Sequence, residues 1–467
     1  MSEKIAVFGG SFNPPGLHHR RIAEALCEEF DRVIIYPCGS RPDKPTVNDV
    51  DSVFRATMVD LCFADLPKVE ICLDDLEQDK FSRTHELQER YAARGEVWHV
   101  IGSDLVEGGG EGKSFIHRVW HHAEDMWRNL NFAVIARPGY DVTHKDLPPR
   151  NRIVHFEAPG ASSHIREQIF HREPISHLVT ASVEDYIERY GLYRGRIPSR
   201  VTRRVFKEPR LIIVADEWNP KAMQWAARFR QFEVPHDPNC VLVIGGDGSM
   251  LRAIRRHWKK RLPVLGLNAG HLGFLLNDAQ PVFDHGLEQE ELILRQMPLL
   301  YVETRRPDGS WSQDYAFNEA WIERATGQTA WLQVKVGHQV RLPKLVCDGV
   351  LLSTAAGSTA YARSMGATPL LAETPAWLLV GSNVMLPANW KSALLSLETE
   401  VQMVGLDVEK RPLNGFVDGV PQGEIREMRV RVSRAASVEL AFLPDHDMAD
   451  KIAEVQFPQT SEMVHLA

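Results

Sequence analysis

Twice along the chain an apolar run ends in a pair of glycines and passes into a helical pattern. Ile5–Phe8 leads into "GGSFNPPGLHHR" (Gly9–Arg20), and Cys240–Ile244 leads into "GGDGS" (Gly245–Ser249). Strand, glycine turn and helix together open a doubly wound α/β unit. Glycine lets the backbone approach a phosphate, and the following helix aims its free amides and dipole at it. The flanking sequences differ, so the two turns are not an internal repeat. Each turn alone is equally compatible with a tight strand-to-helix connection with polar capping residues.

The surrounding pattern repeats the α/β theme. Arg32–Pro37, Val97–Asp104 and Phe132–Gly139 read as buried parallel strands, and Ile22, Leu26 and Phe30 recur at helical spacing. A helix over Ser182–Tyr193 closes the first unit, predicting a domain over 1–195. The basic, Pro-containing stretch that follows predicts a linker over 196–208. Leu211–Ala215, Cys240–Gly248 and Pro263–Gly270 restart the strand pattern, giving an α/β part over 209–295. Beyond about Leu300 the texture alternates. Trp331–Gly337, Met428–Ser433 and Ser437–Leu443 predict antiparallel strands in a mainly β part over 296–467. A chain of 467 residues accommodates two or three domains.

Composition narrows the function classes. With a net charge of −8 and scattered Arg and Lys, the chain carries no nucleic-acid footprint. No apolar run approaches membrane-spanning length. The six cysteines lack paired-ligand spacing, and most read as core residues of a reducing, cytoplasmic compartment.

In the first half, His19 falls on the first turn of the helix after the glycines, where an imidazole can donate to a phosphoryl oxygen. Adjacent helical residues face different directions, which disfavours shared metal ligation by His18 and His19. His121 and His122 read as part of an amphipathic helix. "IGSDL" (Ile101–Leu105) ends a strand with a small residue and a carboxylate, "RPGY" (Arg137–Tyr140) ends another, and "SSHIRE" (Ser162–Glu167) places two hydroxyls and an arginine at a helix start. With these motifs, residues 1–195 resemble the nicotinate/nicotinamide mononucleotide adenylyltransferases, which open with GGSFNPP-H-x-G-H and finish with S-S-T-x-I-R. "FRATMVDL" (Phe54–Leu61) and "SRTHEL" (Ser82–Leu87) are smaller echoes. The resemblance implies adenylyl transfer from ATP to the mononucleotide. His19 and Arg166 would stabilise the transferring phosphates, and Ser162 and Ser163 would hold the ATP phosphates with Mg²⁺. Asp104 would bind the adenosine end, and Trp120 would line the pyridine pocket or serve as a core aromatic. Gly9, Gly10, Ser11, Phe12, His18, Thr84, Gly102 and Arg137 complete the implied nucleotide site. One departure stands out: Gly16 occupies the place of the first motif histidine, and His18 that of the small glycine.

In the second half, "GGDGS" alone suits several kinase types, lipid kinases included. It is followed by "GLNAGHLGFL" (Gly266–Leu275), "FNEAW" (Phe317–Trp321) and "CDGVLLSTAAGSTAYARS" (Cys347–Ser364). Together these resemble the NAD kinases over residues 209–467, with the Asn-Glu pair and GSTAY counting against a lipid kinase. The resemblance implies Asp247 as the base for phosphorylation of the NAD 2′-hydroxyl by ATP. Asn318, Glu319, Asp348, Thr359, Ala360, Tyr361 and Ser364 would form the dinucleotide site. Gly245, Gly246, Gly248 and Asn268 would shape the phosphate end. Ala355 and Ala356 depart from the family's proline and threonine. Asp418 reads as a hairpin Asp-Gly. The whole chain is thus expected to be a bifunctional enzyme of α/β class, a nucleotidyltransferase domain followed by a kinase with an α/β and an all-β part. Its expected partners are ATP, the mononucleotide and NAD, with homo-oligomerisation through the kinase half.

Overall fold

The computed structural model of the protein describes residues 2–40, 50–136, 144–155, 160–270 and 273–457. It divides into two compact units, Met1–Ser199 and Arg200–Ala467.

The first unit is built on six parallel strands: β1 (Lys4–Gly10), β2 (Arg32–Pro37), β3 (Val69–Ile71), β4 (Glu96–Gly102), β5 (Asn131–Ile135) and β6 (Asn151–Val154). Their order is β3-β2-β1-β4-β5-β6. Successive side chains of a strand face opposite ways, so a strand covered on both faces must be apolar throughout. In β1, Ala6 and Phe8 pack on Ile22, Ala23 and Leu26 of the helix Leu17–Glu29, while Ile5 and Val7 pack on Leu87 and Tyr91 across the sheet. The strand order reverses direction between β1 and β4, which opens a crevice at their carboxyl ends.

The second unit adds β7 (Val201–Val205), β8 (Leu211–Ala215), β9 (Cys240–Gly245), β10 (Val264–Asn268), β11 (Glu291–Arg305), β12 (Trp311–Ala316), β13 (Glu319–Arg324), β14 (Ala330–Val336), β15 (Gln339–Cys347), β16 (Gly349–Ser353), β17 (Ala376–Ser382), β18 (Ser392–Ser396), β19 (Glu400–Gly405), β20 (Leu413–Val417), β21 (Val420–Ile425) and β22 (Glu427–Phe442). One sheet runs β15-β14-β19-β22-β10-β9-β8, with β11 also on β22; a second runs β18-β17-β16-β13-β20-β21. The two sheets share an apolar core in which Leu332, Val401 and Val430 of the first meet Ile322, Val350, Trp377 and Val417 of the second.

Three features differ from the sequence reading. Val201–Val205, inside the stretch read as a linker, pairs with β11. The division at 295/296 falls within β11, because β22 joins parallel β10 on one side and antiparallel β11 on the other. Met428–Ser433 and Ser437–Leu443, read as two strands, lie along a single one except for Leu443, the residue after its end. The "SRAAS" stretch that breaks the alternation is a bulge, with a register shift opposite Pro298/Leu300, where Ser433 Oγ accepts the amides of Ala435 and Ala436.

Candidate active sites

In the first unit Gly9 and Gly10 end β1, and Gly102 ends β4, on either side of the order reversal. Asp104 follows in the short turn Ser103–Leu105. A Cβ on Gly10 would lie 3.0 Å from the Phe12 ring, which turns inward from a backbone φ of 44° to pack edge-on against Phe8, Phe63 and His19. The Phe12 side chain is a core residue that shapes the turn, which leaves only its backbone at the loop surface expected to face the nucleotide. Arg55, almost completely buried, holds the turn from below by donating to the Ser11 and Cys38 carbonyls, each at 2.6 Å.

His19 sits on the first turn of the helix Leu17–Glu29. Its Nδ1 accepts the Gly16 amide at 3.1 Å, so in the neutral ring the proton rests on Nε2, the donor atom of the ring. The His18 ring lies 3.9 Å from that of His19. This corrects the expectation that the two diverge. Gly16 has no side chain, and a Cβ there would stand 2.7 Å from His18 Nδ1. A Cβ on Gly160 would stand 2.6 Å from the same atom. The His18 ring thus fills the space between two glycines.

Ser162 and Ser163 open the helix Ser162–His171. Ser162 Oγ donates to the Pro14 carbonyl at 2.8 Å and Arg166 donates to the Asn13 carbonyl at 2.7 Å. Both side chains therefore tie this helix to the glycine loop. Thr84 heads the helix Thr84–Ala92, just after Ser82, which is fixed by the buried Asp75. Trp120 is half-buried, ending a short helix against the cluster of Ile101 and Phe132. His121 and His122, expected within a helix, occupy the turn between two short ones, with His122 at φ 59°. Arg137 lies outside the described residues.

In the second unit Gly245 ends β9 and Asp247 opens the helix Asp247–His257. A Cβ on Gly245 would lie 2.7 Å from Ser249 Oγ and crowd that side chain; a Cβ on Gly246 would face open space, and one on Gly248 would meet only Arg252 Nη1, at 3.8 Å. Asp247 is half-buried. Its oxygens accept the Phe274 and Leu275 amides, each at 3.1 Å. Burial pushes its carboxyl up from the ordinary value, opposed by those two amides and then by Lys451. Asn268 ends β10 and turns its Oδ1 to the Gly270 amide.

Met250 and Leu275, on either side of Asp247, share a core cluster with Phe317 and Ala356. That cluster brings the glycine turn, the Asn318–Glu319 pair and the Ala355–Ser358 loop together. A Cβ on Gly357 would run into the Asn318 carbonyl. Asn318 Oδ1 and Glu319 Oε2 are buried without a hydrogen-bond partner. Buried polar atoms left unpaired on two adjacent residues call for an explanation, and a bound ligand is one. Burial first, and then the Asp418 carboxylate, push Glu319 up to about 8. Thr359, Ala360 and Tyr361 follow the same loop, with the Tyr361 ring exposed and edge-on to Trp321. Ser364 closes the short helix Tyr361–Ser364 and is exposed.

Asp348 is not brought to this group within the chain. Glu319 pairs with Ser353 and Glu323 with Gly349, so Asp348 stands at the other end of β13, roughly 17 Å away at about 3.4 Å per residue. There it takes Arg324 at 2.7 Å and Asn383 at 2.8 Å. Sequence reasoning missed two residues. Asp418 is an Asp-Gly hairpin residue, as expected, but its carboxylate is buried under Asn318 and Glu319. Arg255, from the helix that begins at Asp247, reaches Asp418 at 3.7 Å and Asp314 at 3.1 Å.

Comparison with known proteins agrees with this division. Residues 7–176 match the cytidylyltransferase-like family model, and residues 193–288 match that of the ATP-NAD kinase N-terminal domain. An NAD kinase of Rhizorhabdus wittichii is 36% identical over 222 residues, covering 46% of this chain and 85% of its own. One of Xanthomonas campestris pv. campestris is 32% identical over 255 residues, covering 53% of this chain and 98% of its own. Among solved structures, yeast NADH kinase complexed with NADH aligns with 78% of this chain and 88% of its own, at a TM-score of 0.42 and 16% identity. The chain carries a cytidylyltransferase-like unit at its N-terminal end and, through the unit that follows, belongs to the NAD kinase family.

Proposed function

We propose that the protein catalyses two steps of NADP formation: the first unit joins nicotinate or nicotinamide mononucleotide to ATP, giving the dinucleotide and pyrophosphate, and the second phosphorylates NAD; the nicotinate product is a carboxylic acid that a separate amidation converts to NAD between the two steps. The kinase reading is carried by the buried, partnerless Asn318 Oδ1 and Glu319 Oε2, packed through one core cluster to the Asp247 turn. Such atoms suit the hydroxyl and amine groups of a nucleoside. In that step the 2′-hydroxyl oxygen attacks the γ-phosphorus of ATP, the bond to the β-phosphate oxygen breaks, and Asp247 takes the hydroxyl proton. A raised carboxyl pKa makes it a stronger base than an exposed aspartate. Mg²⁺ enters on the triphosphate as part of the substrate.

For the first unit, the support is the convergence of His19, Arg166 and Ser162 on one glycine loop beside the order reversal. A mononucleotide phosphate oxygen attacks the α-phosphorus, and pyrophosphate leaves. No covalent intermediate is needed; orientation and charge neutralisation carry the rate. His19 Nε2–H donates to a phosphoryl oxygen, while the guanidinium of Arg166 spreads positive charge beside it. Gly16 favours a second reading, in which the first unit binds nucleotide without transferring it.

The test is pyrophosphate release by the full chain from Mg-ATP with each mononucleotide, beside His19→Ala, with dinucleotide and its 2′-phosphate separated. Release that depends on His19 supports two working sites. Conversion of added NAD to NADP without release supports the second reading.

A further inference from the structure

The turn Gly273–Leu276 is gripped from both sides. Its two inner amides, of Phe274 and Leu275, donate to Asp247. Its two outer carbonyls, of Gly273 and Leu276, accept Lys451 Nζ, each at 2.8 Å. Lys451 comes from the helix Met448–Gln456, about 200 residues after Asp247 in the sequence. The ammonium is partly buried and has a third neighbour, His446 Nδ1, at 3.5 Å.

We propose that Lys451 is a positioning residue of the phosphoryl-transfer site, fixing the turn whose amides set the orientation of the Asp247 carboxylate. This rests on the reading of Asp247 as the base. A carboxylate held by two amides is only as well aimed as the backbone that carries them. In the Gly273–Phe274 peptide unit the carbonyl faces the Lys451 ammonium and the amide faces the Asp247 carboxylate, so this unit is polarised toward a stronger amide bond. The second contact, at the Leu276 carbonyl, closes the turn that presents the Leu275 amide, and Lys451 acts on Asp247 without touching substrate.

The charge on Lys451 also acts at a distance. Asp247, Asp278 and Glu454 are the acidic groups that act on it, and His446 is the neutral-leaning base beside it. Removing the ammonium leaves Asp247 with burial opposed by its amides alone, so its pKa rises. A base is active only when deprotonated, so the acid limb of kcat moves to higher pH.

The experiment is NAD phosphorylation by the full chain carrying Lys451→Met, with pH profiles of kcat and with KM for ATP and for NAD. Lys451→Gln gives the same readouts should the methionine variant not fold, and Asp247→Asn runs alongside. The expected result is a kcat about 10- to 100-fold lower, the loss that follows a misplaced group. KM values stay within about twofold and the acid limb shifts upward. A folded variant with wild-type kcat and an unmoved limb, beside an inactive Asp247→Asn, overturns the role of Lys451 alone. Full activity of Asp247→Asn overturns the base assignment, and the proposal with it.

Discussion

The Asp418 carboxylate lies beneath Asn318, accepting its amide at 2.9 Å, and the same oxygen takes the Glu319 amide at 3.1 Å. The other oxygen takes the Phe317 amide at 2.7 Å. Three consecutive amides thus converge on one side chain from a hairpin turn a hundred residues away. Asp418→Asn keeps the left-handed turn conformation, since asparagine tolerates it, but replaces an acceptor with a donor facing amides. It is expected to cost about 2–4 kcal/mol of stability, read by urea denaturation. The accompanying rise in KM for NAD is expected to exceed that for ATP.

Glu319 predicts a pH dependence of stability. Its carboxyl, at about 8 in the folded chain against an ordinary 4.5, keeps a proton that the unfolded chain has lost. Stability is therefore highest below the unfolded value and falls as pH rises from about 4.5 through 8. Glu319→Gln is neutral throughout and removes this fall. Relative to wild type, the variant gains stability between pH 5 and pH 8.5 by a few kcal/mol at most, since a tenfold change in proton affinity is worth about 1.4 kcal/mol. Chemical denaturation at the two pH values, showing the same difference at both, would contradict it.

The packing of His18 predicts non-additive substitutions. Gly16→His alone drives its side chain into the His18 ring and towards the Ile165 Cδ1 atom, 2.8 Å from a Cβ at position 16. Overpacking of this kind costs about 1–3 kcal/mol, and pyrophosphate release falls with it. Adding His18→Gly vacates the ring's space. The double variant is expected to be more stable and more active than Gly16→His, a coupling that thermal melts and a double-substitution cycle measure.

Asp247→Asn separates the two activities. The amide cannot take the hydroxyl proton, so NAD phosphorylation is expected to fall about 10²- to 10⁴-fold, while pyrophosphate release in the first unit is unchanged. His19→Ala gives the reverse pattern, with a loss of about 10²- to 10³-fold in adenylyl transfer.

The fold class was legible because parallel strands covered on both faces leave continuous apolar runs. Ile5–Phe8 and Cys240–Ile244 are such runs, and each ends at its glycines where the carboxyl edge begins. The reach of β22 was not legible, because the bulge breaks the alternation and shifts the register while the strand resumes on the same partner beyond it. His19, Asp247, Asn318 and Glu319 stood out by local motif. The inward turn of the Phe12 ring and the separation of Asp348 from Glu319 were not legible, because side-chain direction and strand pairing decide them. Asp418 and Lys451 carry no local signal at all: one resembles any turn aspartate, the other any lysine of an amphipathic helix. Their roles come from contacts across long stretches of chain.

The strands β11 and β22 run from the glycine-turn end of the second unit into its β-rich end without a break. That continuity has a consequence for how such a chain can be rebuilt. The stretch from Arg200 onward behaves as a single heritable part, because a crossover at residue 295 would sever one ladder and leave both fragments with raw sheet edges. Recombination that shuffles this kinase among partners must take it whole, and the seam where a different neighbour can be attached lies ahead of Val201.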